Sequence, residues 1–73
     1  MAFKINKVEQ RIADRWNANH PVGTPVRYWT MVREGAGKVS KTRSLAEVLS
    51  GHTAVVWIEG VSGCVDLSHV DPV

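Results

Sequence analysis

The sequence predicts a small α+β domain, mainly β, and three observations carry that reading. Ile5, Val8, Ile12 and Trp16 recur at spacings of three and four, the period of an amphipathic helix. Val26-Arg27-Tyr28-Trp29-Thr30-Met31-Val32 and Thr53-Ala54-Val55-Val56-Trp57-Ile58-Glu59 are aromatic and β-branched runs of strand length. The second run is the most apolar of the chain and is bracketed by Gly51 and Gly60, so it reads as the central strand. Seventy-three residues make one domain, 1–73, with a helix over 6–19 and a β-rich core over 22–73.

Taken in order, Asn6 followed by Glu9 has the spacing of a capping box, so the helix starts there with Ala13 beside its apolar stripe. It fades by Asn17-Ala18-Asn19-His20, because Pro21 disfavours helical backbone at His20 and donates no N–H. Pro21 to Pro25 is an extended lead-in. The first strand spans 26–32, Arg33-Glu34-Gly35-Ala36-Gly37-Lys38 is a hairpin loop, and Val39 to Arg43 returns as a short polar edge strand. Ser44-Leu45-Ala46-Glu47 repeats the capping-box spacing, and Leu45, Val48 and Leu49 make a one-sided stripe that Gly51 would end. That predicts a helix of less than two turns between the second and third strands. After the central strand, Gly60-Val61-Ser62-Gly63 turns the chain and Cys64 to Leu67 returns antiparallel. Ser68 to Val73 closes with one helical turn. Two hairpins joined by a short helix suit a four-stranded antiparallel sheet or an SH3-like partly open barrel, with the leading helix over one end or face.

Composition narrows the function classes. The net charge is +2, with a pI near 9.0, which permits a polyanion partner without arguing for one. A single cysteine, Cys64, excludes an internal disulfide and supplies too little for a thiolate zinc site. The first residues carry no signal-type apolar core, and no run approaches the length of a membrane span. The expectation is a protein in the cytoplasm, with no membrane partner and no cofactor.

Each candidate site has a plainer reading beside it. Trp29 or Trp57 with Arg27 would make a stacking platform for single-stranded nucleic acid or a partner protein. The alternative is that one face of the sheet is core and the other is covered by the stripe of the leading helix. The second is expected, because that stripe must be buried somewhere, and it makes Trp57 a core residue. Gly37-Lys38 fails as a phosphate loop, since Val32 and Val39 stand where a glycine and a hydroxyl residue are needed. Gly60-Val61-Ser62-Gly63 lacks the spacing of a nucleophile elbow. Cys64, His52, His69 and Asp66 contain the residue types of a Cys–His dyad or a metal site, but a barrel this small is filled by its own side chains, so no catalytic role is expected. The one basic cluster, Arg27, Arg33, Lys41 and Arg43, is the place for phosphate contact, and its plainer reading is a solvated face.

His20-Pro21-Val22-Gly23-Thr24-Pro25-Val26-Arg27-Tyr28-Trp29, Thr42-Arg43-Ser44, Gly51 through Cys64 and Leu67-Ser68-His69-Val70 together resemble a group of small proteins of bacteriophages and prophages. The resemblance covers about two-thirds of the chain. It implies an origin and a size class, a bacterial host cell as the setting, and no residue roles. The expected function is that of a non-enzymatic accessory protein binding a host or phage protein. The runner-up is a small nucleic-acid-binding barrel using Arg27, Arg33, Lys41 and Arg43 with Trp29.

Overall fold

The structure, a computed structural model, describes residues 6–73. Ile5, the first member of the expected stripe, lies outside them. Helix α1 (Lys7–Asn19) is followed by strands β1 (Pro25–Tyr28), β2 (Lys38–Lys41), β3 (Glu47–Leu49), β4 (Thr53–Trp57), β5 (Cys64–Asp66) and β6 (Val70–Pro72). A single 3-10 turn, Leu67–His69, joins the last two strands. The strands form two three-stranded antiparallel sheets, ordered β2-β1-β6 and β3-β4-β5. An isolated bridge between Thr42 and Ile58 ties the end of β2 to the end of β4. Backbone bonds from Glu59 to the Lys41 carbonyl and from Arg43 to the Trp57 carbonyl, each 2.9 Å, flank it. The described strands do not close into a barrel.

The core lies between the two sheets and follows strand alternation. Val26 and Tyr28 of β1 and Val70 of β6 face Ala54, Val56 and Ile58 of the central strand run, with Val65 and Leu67 beside them. Register explains the sorting. Tyr28 pairs with Val70 and Val56 with Val65, so inward residues oppose inward residues, while Val26 pairs with the exposed Pro72 at the end of the edge strand. Ala13 of α1 and Ala46 close one end of this core.

Four expectations change. The helix proposed for 45–50 is absent, and Glu47–Leu49 is β3, paired with β4 from Leu49↔Thr53 to Glu47↔Val55. The reason lies in Ser50-Gly51. Both have positive φ, 52° and 73°, and the His52 N–H donates to the Leu49 carbonyl, as in the turns that suit a two-residue hairpin. Two turns of helix would make few internal hydrogen bonds, whereas the strand pairs with β4 along its whole length. There are also six strands in two sheets, not four in one. β6 was hidden by its brevity and by Pro72, which is tolerated there because β6 is an edge strand. The first strand ends at Tyr28 rather than Val32, because the Trp29 N–H is drawn to the His69 carbonyl, and the loop to β2 is correspondingly longer.

The fourth change concerns α1. Its start is as expected: the Asn6 side chain accepts from the Val8 and Glu9 N–H groups. The face it buries is only in part the expected one: Trp16 packs against the core, but Val8 and Ile12 do not. Val8 is 64% exposed and Ile12 43%, while Ala13 is fully buried. The helix is turned so that Glu9, Ala13 and Asn17, spaced by four, meet the β3–β4 hairpin. Three polar tethers hold it. The Asn6 N–H donates to the Gly51 carbonyl at 3.0 Å, the Glu9 carboxylate accepts from the Ala54 N–H at 3.1 Å, and the Asn17 amide bonds both backbone groups of Ala46. Such bonds contribute about 1 kcal/mol each, and somewhat more where one partner is charged. Their sum rivals the burial of one or two aliphatic side chains, at roughly 1.5–3 kcal/mol each, so backbone anchoring overrides the orientation that hydropathy favours.

Candidate functional site

The residues expected to form a binding patch are placed, but each is engaged within the chain. The Arg27 guanidinium donates to the Ala36 carbonyl at 2.7 Å. Arg33 stacks over the Trp29 ring, 4.5 Å from its centroid, and donates to the Ser68 carbonyl and to the Asp71 carboxylate. The Trp29 indole N–H in turn donates to the Gly35 carbonyl at 3.3 Å, and its ring lies against Gly37. Trp29, half-buried, is therefore braced between an arginine and the loop that connects β1 to β2. Lys41 pairs with Glu59 at 3.6 Å on an exposed surface, and Arg43 donates to the carbonyls of Ile58 and Val61 in the β4–β5 turn. Arg27, Trp29 and Arg33 are brought together around one loop. Lys41 and Arg43 sit at the other end of β2, beside the bridge to β4.

Trp57 does not enter the core. It is half-buried and lies on the opposite face of β4 from Val56, paired with Cys64. The expectation of a helix covering that outer face fails for the reason given above, since α1 closes the end of the inner core instead. The cysteine set is divided. Cys64, Asp66 and His69 line a cleft of about 310 Å³ with Trp29 and Thr30, while His52 stands in the hairpin turn at the far end of β4, about 16 Å away at roughly 3.3 Å per residue. Asp66 is occupied in capping the 3-10 turn through the Ser68 N–H. No hydrogen bond joins Cys64 to His69, and no three metal-ligating side chains converge, among the described residues.

A different feature stands out, a groove between α1 and the end of the chain. Its helical wall is Val8, Ile12 and Trp16, one face of α1 at spacings of four, continued by His20 just past the helix end, and its other wall is Leu67 and Pro72. It encloses about 520 Å³ and opens to solvent. The Trp16 and His20 rings pack together with centroids 4.3 Å apart, which holds both at the C-terminal end of the helix. Arg11 and Arg15 line the same groove, one turn apart.

No family model, no curated protein and no solved structure matches the chain.

The groove therefore has to be judged by its own chemistry. No carboxylate lines it, and neither Arg11 nor Arg15 makes an ion pair among the described residues. Residues 1–5 contain no acidic side chain that would neutralise them. An apolar floor with a cationic rim is suited to holding a side chain cluster by burial and orienting it by charge. The signal was present in the sequence as the Ile5-Val8-Ile12-Trp16 stripe. Hydropathy alone assigned that stripe to the interior, and only the tethers of Glu9 and Asn17 show that Val8 and Ile12 face out while Trp16 packs at the edge of the core. No described helix is long and apolar enough to cross a membrane.

Proposed function

We propose that this chain is a non-enzymatic accessory protein of phage or prophage type that acts by binding another protein through the groove beside α1. The observation that carries the reading is the exposed pair Val8 and Ile12, continued along the groove by the half-buried Trp16, which packs against the core on its other side. A helix that is held to its sheet by polar tethers has left an apolar face uncovered. Exposed apolar ground of this kind, rimmed by polar residues, is characteristic of interaction surfaces. The resemblance of residues from His20 onward to small phage proteins supports the setting, a bacterial cytoplasm. An SH3-like open barrel is our finer reading of the fold, supported by the β1–β6 pairing, the 3-10 turn before β6 and the Thr42–Ile58 bridge.

Protein binding is preferred to nucleic-acid binding because Arg27, Arg33, Lys41 and Arg43 each have intramolecular partners. Contact with phosphate would require those bonds to be broken or shared. Affinity capture from bacterial lysate tests the choice, using the native chain, Ile12→Asp and the double variant Lys41→Glu/Arg43→Glu. The proposal expects a protein held by the native chain and the double variant but lost with Ile12→Asp. Salt-sensitive capture of nucleic acid, lost only with the double variant, overturns it.

A further inference from the structure

We infer that the groove takes an acidic amphipathic helix of a partner protein. The inference rests on the protein-binding reading and adds the chemistry of the occupant. Charge complementarity is the first argument. Arg11 and Arg15 stand on successive turns of α1 along the groove, and no carboxylate is present in the lining to satisfy them. The acidic residues nearest them in sequence are both outside the lining: Asp14 accepts from the Gln10 side chain at 3.0 Å and Glu9 from the Ala54 N–H at 3.1 Å. A partner with carboxylates flanking apolar anchors would satisfy both guanidinium groups, and a basic partner would be repelled.

Shape is the second argument. The row from Val8 to Trp16 spans about 12 Å at 1.5 Å rise per residue, which matches apolar anchors two turns apart on a facing helix. The other common mode, addition of a strand to an open sheet edge, is poorly served here. The edge strand beside the groove is β6, only three residues long. The Val70 N–H is taken by the Leu67 carbonyl, the Val73 N–H by the Pro25 carbonyl, and Pro72 has none. Little free backbone is left to template a strand, so side-chain docking of a helix is the mode that the groove supports.

Two synthetic helical peptides test this, with leucines at i, i+4 and i+7 in both and the remaining exposed positions filled by Glu in one and by Lys in the other. Binding to the full chain is followed at low salt by calorimetry and by tryptophan fluorescence, the Trp16 contribution being taken as the part of the change lost in Trp16→Phe. The acidic peptide is expected to bind at least about tenfold more tightly than the basic one, with the difference shrinking as salt is added. Arg11→Glu/Arg15→Glu should reverse the preference, and Ile12→Asp should abolish binding of both while leaving the circular dichroism spectrum intact. Equal affinities that still depend on Ile12 overturn the acidic occupant and leave the protein-binding reading standing. Binding of neither peptide at millimolar concentration overturns both. Two further results overturn the partner helix: vesicles of phosphatidylglycerol that shift Trp16 through Ile12, or a dimer of the chain that dissolves on Ile12→Asp.

Discussion

Asn17 grips Ala46 by both backbone groups: its side-chain nitrogen donates to the Ala46 carbonyl at 2.9 Å and its side-chain oxygen accepts from the Ala46 N–H at 2.8 Å. The amide takes the place of a neighbouring strand just before β3 begins, at a residue that is 5% exposed. Asn17→Ala leaves two poorly solvated backbone groups without partners, which costs about 1–3 kcal/mol. The loss is measurable as a lower midpoint in urea. Asn17→Asp should cost at least as much, because a carboxylate cannot donate to the carbonyl and sets oxygen against oxygen. An unchanged midpoint for both variants would show that the clip does not hold the helix.

Ser50 is the one described non-glycine residue with positive φ, at 52°. Asparagine tolerates that left-handed conformation better, and Asn-Gly is the favoured pair for a hairpin turn of this kind. Ser50→Asn is expected to stabilise the protein by about 0.5 kcal/mol, a rise of roughly 2–4 °C in Tm for a domain this size. Ser50→Val should lower the Tm, since a β-branched residue is the least tolerant there. A Tm that rises with valine would contradict the hairpin geometry.

Gly37 serves the brace around Trp29. A Cβ there would lie 2.7 Å from Cε2 of the Trp29 indole and 2.8 Å from the Tyr28 carbonyl oxygen, at a φ of +64°. Gly37→Ala should therefore cost about 1–3 kcal/mol by strain and displacement of the ring. Tryptophan fluorescence should change as the Trp29–Arg33 stack is disturbed. Gly35→Ala provides the control, because its Cβ would meet nothing within 4 Å although its φ is also positive. It should cost less than Gly37→Ala, and equal costs would show that backbone conformation alone matters at both positions.

Legibility from sequence followed the range of the interactions. The helix start, the central strand and the returning strand at Cys64 were readable because Asn6, the β-branched run and the flanking glycines act within a few residues. The β3 strand was not, since Ser44 and Glu47 offer a local capping pattern and the Asn17 clip that favours the extended form reaches across 29 residues. The orientation of α1 was lost for the same reason. Glu9 reads as the capping-box partner of Asn6 and Asn17 as part of the fading helix end, and their actual backbone partners, Ala54 and Ala46, carry no mark of needing them. The Arg27, Trp29 and Arg33 group was recognised as a cluster, but its internal commitments to Ala36, Gly35 and Asp71 depend on a loop whose path the sequence does not specify.

The central claim is that the Val8–Ile12 face of α1 is a surface held open by the tethers on the other side. Urea denaturation of the double variant Val8→Ser/Ile12→Ser tests it most directly. If the face is free, the two changes together should cost no more than about 1–2 kcal/mol, reflecting the partial burial of Ile12 and the lower helix propensity of serine. A loss of about 4 kcal/mol or more, the scale of truncating two core aliphatics, would place that face in the interior and contradict the account.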